Sequence, residues 1–89
     1  MNTNVVRMSP RAGDTPLTEQ VRASLQRYFE DLNGQPAAEL YELVMTQVEK
    51  PLLEIVMRET RGNITKAAQV LGINRATLRT KLHKYGLGK

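Results

Sequence analysis

The chain has 89 residues, 40% of them hydrophobic, which is enough for one small core and leaves little for a second. It contains no cysteine, so disulfides, thiolate metal sites and thiol catalysis are excluded. Its net charge of +4 and pI near 9.8 favour a polyanionic partner over an acidic-surface role.

Residues 1–15 (Asn, Thr, Ser, Pro, Gly and Asp without a period) predict a flexible N-terminal arm, in which Val5, Val6 and Met8 could form a weak strand. The arm has no apolar run of signal-peptide length. Nowhere in the chain do about eighteen apolar residues follow one another, so no membrane partner and a soluble cytoplasmic protein are expected. Pro16 suits a first helical position, with Asp14 or Thr15 as cap. Leu17, Val21, Leu25, Tyr28, Phe29 and Leu32 then recur at helical spacing until Asn33 and Gly34 end the helix.

Pro36 points to a second helix N-terminus, and an apolar series runs from Leu40 and Tyr41 to Val56 and Met57. Pro51 lies inside this helix without an N–H and against the carbonyl of Gln47, which predicts a bend near residues 47–51 or a break into two helices. At 100° per residue, the apolar arc of Leu40 to Val48 is roughly 200° wide, and that of Leu52 to Met57 is centred about 110° further round. One neighbouring helix does not cover both arcs. A chain this short has no large core to bury such a helix, so a second subunit is expected to cover it and residues 16–59 read as a dimerisation core.

Thr60 to Asn63 predict a turn, Thr65 the start of a short third helix ended by Gly72, and Asn74 the cap of a fourth that reaches Tyr85 before Gly86. The fold class is therefore all-α, four helices per subunit. Residues 60–89 have the layout of a helix-turn-helix: Ala67 and Ala68 allow close helix crossing, Gly72 permits the tight turn, and Ile73, Leu78 and Leu82 face inward to meet Val70 and Leu71.

Charge singles out the same region. Residues 1–57 carry five basic side chains against eight acidic ones, a balance of −3, and residues 58–89 carry eight against one, a balance of +7. Asn74, Arg75, Thr77, Arg79, Lys81 and Lys84 lie away from the Leu78, Leu82 and Tyr85 stripe. The N-terminal end of a recognition helix reaches base edges, and the guanidinium fork matches guanine O6 and N7, so Arg75 and Arg79 are assigned to bases. Lys81 and Lys84 suit phosphates. Asn74 is either a base contact or a cap. Arg61, Asn63, Thr65 and Lys66 surround the third helix's N-terminus, whose free N–H groups suit a phosphate, although Thr65 serves equally as a cap.

His83 has no metal-ligand partner at suitable spacing, Glu30 and Asp31 look like solvated surface, and no glycine-rich phosphate loop is present. Neither an enzyme, a cofactor nor a metal site is expected. Two other readings compete with DNA binding: a basic protein-interaction module docking acidic partners, and the isolated effector domain of an enhancer-binding activator.

The segments Leu32-Asn-Gly-Gln, Leu40-Tyr-Glu-Leu-Val, Val48-Glu-Lys-Pro-Leu-Leu, Thr60-Arg-Gly-Asn and Gly72-Ile-Asn-Arg-Ala-Thr-Leu-Arg closely resemble the Fis (factor for inversion stimulation) family of bacterial nucleoid-associated DNA-binding proteins. The likeness runs from about Pro16 to Gly86, internal proline included. It implies an intertwined homodimer built on the first two helices, with paired fourth helices entering successive major grooves of double-stranded DNA and bending it. It further implies a sequence-tolerant transcriptional regulator and activator of the nucleoid, with RNA polymerase as another partner. The family's DNA contacts fall here on Arg61, Asn63, Thr65, Asn74, Arg75, Thr77, Arg79, Thr80, Lys81 and Lys84. Thr80 and His83 stand where familiar members have lysine, which lowers the expected number of flanking phosphate contacts. Val5 to Thr15 is shorter than the family's recombinase-contacting hairpin and does not match it, which argues against a recombinase partner.

Overall fold

The computed structural model describes residues 15–88, so of the arm expected over residues 1–15 all but Thr15, the weak strand included, lies outside the described residues. Four helices and no strand occur among the described residues: α1 (Pro16–Leu32), α2 (Leu40–Glu59), α3 (Ile64–Leu71) and α4 (Arg75–Lys84). The chain divides after Ala38 into two compact units, the first holding α1 and the second α2 to α4.

In the first unit, Thr15 caps α1. The Thr18 N–H donates to Thr15 Oγ1 (3.1 Å), and Pro16 takes the first turn, where its missing N–H costs nothing. Asn33 closes the helix in the left-handed conformation (φ 56°). None of the apolar residues of α1 is buried, and Leu17 and Phe29 are 48% and 53% exposed.

The second unit opens differently from what Pro36 suggests. Pro36 stays outside the helix, and α2 begins at Leu40 after Glu39, which sits at φ 54° with no side-chain capping bond. A proline biases the chain before it away from helix but does not oblige the chain after it to coil at once. The helix then runs unbroken past Pro51 to Glu59, so the two-helix alternative is excluded. Thr60 ends it by donating its hydroxyl to the Val56 carbonyl (2.8 Å).

Asn63, rather than Thr65, caps α3: its Oδ1 accepts the Lys66 N–H at 3.0 Å, and Ile64 is already helical. Gly72 (φ 73°) stops α3 with N–H bonds to the Ala68 and Gln69 carbonyls, and two residues later the Oδ1 of Asn74 accepts the Ala76 N–H (2.7 Å) to start α4. The core between these elements is Leu53 and Val56 of α2, Ala67 and Ala68 of α3, and Leu78 and Leu82 of α4, with Met57, Ile64, Leu71, Ile73, Tyr85 and Leu87 around it. Ala67 is 0% exposed, the small side chain that lets α3 and α4 cross closely. Val70 does not join them. It is 64% exposed, because it lies roughly 110° round the helix from the Ile64, Ala67, Ala68 and Leu71 face.

Candidate nucleic-acid interface

The core fixes which side of α4 faces water. Leu78 and Leu82 are buried, Lys81 is half-buried, and Asn74, Arg75, Thr77, Arg79, Thr80 and Lys84 are all exposed. Arg75 and Arg79 lie one turn apart with neither side chain buried. Asn74 uses its Oδ1 for capping, which leaves its amide NH2 as a donor at the tip of the helix. Thr80 donates its hydroxyl to the Ala76 carbonyl (3.1 Å).

Arg61, Asn63, Thr65 and Lys66 are exposed at the start of α3. Arg61 holds φ 55° and Gly62 φ 79°, a pair of left-handed residues that reverses the chain between α2 and α3, and the Gly62 N–H returns to the Met57 carbonyl (2.9 Å). A long hydrogen bond, Arg75 Nη1 to Thr65 Oγ1 at 3.4 Å, links the N-terminal ends of α3 and α4. The sequence-assigned positions thus form two neighbouring groups of donors on one helix-turn-helix: one at the start of α3, the other along α4, where Lys81 alone is half-buried.

Two of those positions are engaged with α2. Lys81 Nζ donates to Glu49 Oε2 (2.6 Å), and the Tyr85 hydroxyl donates to Glu49 Oε1 (2.5 Å). Lys84 Nζ donates to Glu42 Oε2 (2.7 Å) and lies 5.3 Å from the centre of the Tyr85 ring. The hydrogen bond from Lys81, followed by that from Tyr85, holds the Glu49 carboxyl below the usual carboxylate range against a smaller upward push from burial. Lys84 lowers Glu42 in the same way, and the bond to Glu42 raises Lys84. The pairs differ in shielding. The Glu49 side chain is 20% exposed, and that of Glu42 is 59%.

Glu42, Glu49 and Tyr85 are thus parts of the site that the sequence did not assign. Their one local signal is spacing: positions 42 and 49 are two turns apart on α2 and share a face. His83 is exposed on α4. Among the described residues no group of His, Asp and Glu is placed to hold a metal ion, and no helix is long and apolar enough to cross a membrane.

The family described as "Bacterial regulatory protein, Fis family" matches residues 44–85. The DNA-binding protein Fis of Sodalis glossinidius (strain morsitans) is 49% identical over 87 residues, covering 98% of this chain and 89% of the relative. The proteins of the same name from Proteus mirabilis (strain HI4320) and Aliivibrio fischeri (strain MJ11) are each 58% identical over 72 residues, 81% of this chain and 74% of the relative.

Proposed function

The chain belongs to the Fis family of bacterial regulatory proteins, and from that premise we propose that it is a homodimeric, DNA-bending, nucleoid-associated regulator of transcription and not an enzyme. The observation that carries this reading is that α4 is anchored by buried leucines and still exposes two arginines one turn apart. Leu78 and Leu82 fasten the helix into the core, while Arg75 and Arg79, beside that buried pair, keep their guanidinium forks exposed. A helix held this way enters the major groove as a rigid rod, so its guanidinium groups reach guanine edges without further ordering of the backbone.

Arg75, Arg79, Thr77 and the free amide of Asn74 meet base edges in this scheme. Arg61, Thr65, Thr80 and Lys84 approach the backbone, joined by the N–H groups that open α3 beyond the cap of Asn63. The homodimer is supported by what remains uncovered: Leu17 and Phe29 on α1, and Tyr41, Leu43, Met45, Leu52 and Ile55 on α2 are all at least 38% exposed. So much exposed apolar surface on a small chain calls for a partner, and a second copy presents the same surface in return. Two reading helices on one rigid base force the duplex to adapt its curvature to their spacing, which makes deformability the main source of sequence preference. RNA polymerase is a further partner compatible with a role in transcription. The alternative of an isolated effector domain is disfavoured, because the likeness to the Sodalis protein extends over 98% of this chain and therefore includes α1 and α2.

A gel-shift titration on a bent-site duplex and on an unrelated duplex tests the reading. Arg75→Ala and Arg79→Ala are each expected to weaken specific binding by about 1–3 kcal/mol and to narrow the gap between the two duplexes. Unchanged midpoints for both variants would remove α4 from the interface.

A further inference from the structure

Lys81 has the sequence pattern of a phosphate contact, yet its environment is that of a fastening. Glu49 receives two donors from the C-terminal end of α4 at once, Lys81 on one carboxylate oxygen and Tyr85 on the other, at 2.6 and 2.5 Å. Both carboxylate oxygens have partners. The acceptor stands on α2, beyond the buried contact that Leu53 and Val56 make with Leu78 and Leu82. Lys84, by contrast, has one exposed partner, with the two side chains 47% and 59% exposed, an arrangement that exchanges freely with solvent and salt. The side chains of the Lys81 pair are 35% and 20% exposed.

We propose that Glu49 is a positioning residue for DNA binding, and that Lys81 serves as its strut and not as a phosphate ligand. Through Lys81 and Tyr85, Glu49 pins the C-terminal half of α4 to α2. That bond sets the angle at which the N-terminal half, carrying Arg75 and Arg79, projects from the base. The ammonium charge of Lys81 is paired with Glu49, so in this scheme it releases no counterion from the duplex. Lys84, which shares the helix end, has the opposite part: it leaves Glu42 and neutralises a phosphate. This inference rests on the DNA-binding reading above.

The two roles separate in the salt dependence of binding, since each phosphate contact contributes about 0.9 to the slope of log K against log salt. Fluorescence anisotropy of the full-length protein on a labelled duplex, over a salt series, supplies both affinity and slope. Lys84→Gln is expected to lower the slope by about 0.9 for each phosphate that the residue neutralises in the unsubstituted protein. Lys81→Met is expected to weaken binding roughly tenfold at every salt concentration, the scale of one charge-assisted bond, and to leave the slope unchanged. Tyr85→Phe keeps the ring against the core and removes the second donor, so it is expected to act in the same direction with an intact fold by circular dichroism. Exchanging the charges gives a further discriminator. Lys81→Glu alone is expected to cripple binding, and adding Glu49→Lys is expected to restore most of it. A slope that falls in Lys81→Met as it does in Lys84→Gln, or a charge exchange that rescues nothing, overturns the strut. Failure of the unsubstituted protein to bind any duplex overturns the DNA-binding reading as well.

Discussion

At the level of single residues, Glu49 gives the protein an acid-sensitive joint. Its carboxyl is held below the ordinary glutamate value of 4.5 by Lys81 and Tyr85, so protonation is harder in the folded chain than in the unfolded one. The stabilisation is therefore complete above about pH 4.5 and is lost as the pH falls through the lower, folded value. Urea unfolding followed between about pH 5 and about pH 2 should show the midpoint dropping, with a shallower drop in Glu49→Gln, whose amide titrates nothing. An equal pH dependence in both proteins would mean that other carboxylates carry the effect. Glu42, in a more exposed pair, adds a dependence of the same sign that survives in the variant.

The helices themselves turn on a few close approaches. Ala67 of α3 is fully buried beside the α4 residues Leu78 and Leu82, and Ala67→Leu should cost about 1–3 kcal/mol by overpacking the crossing. Chemical denaturation measures that cost, and a loss below about 0.5 kcal/mol would show that the crossing is loose. Most of the element boundaries are written locally, which is why they were readable from sequence. Thr15, Asn74 and Gly72 each act through a partner within four residues. Where the sequence misled, a second local solution was available. Asn63 took the cap that Thr65 could also have filled, Val70 missed the inner face of an eight-residue helix by its rotation, and Glu39 started α2 with no capping bond to announce it. The joints from α2 to α4 lay beyond sequence reasoning altogether. Glu49 and Lys81 are 32 residues apart, and Glu42 and Lys84 are 42 apart, distances at which only the packed helices decide who meets whom. The exposure of Arg75, Thr77, Arg79 and Lys84 was legible because the apolar stripe of α4 is regular, whereas the half-buried place of Lys81 and the anchors on α2 carried no pattern of their own.

For the whole molecule, the uncovered apolar side chains of α1 and α2 make stability and assembly one problem. Thermal unfolding is expected to shift upward with protein concentration, and sedimentation equilibrium to give twice the protomer mass. Leu52→Asp combined with Ile55→Asp places two charges on residues that are 47% and 45% exposed in the lone chain. That variant should sediment as a protomer or unfold, and should lose cooperative binding to a two-groove site; a folded dimer from it would place the subunit contact elsewhere. The bond between Arg75 and Thr65 bears on how the proposed dimer would meet its targets. At 3.4 Å it is at the weak end of hydrogen-bond geometry, so the guanidinium is parked and not locked. In the DNA-binding reading proposed above, Arg75 therefore gives up little internal bonding when it reaches a guanine. The same exchange would return the Thr65 hydroxyl as a free donor for a phosphate at the start of α3.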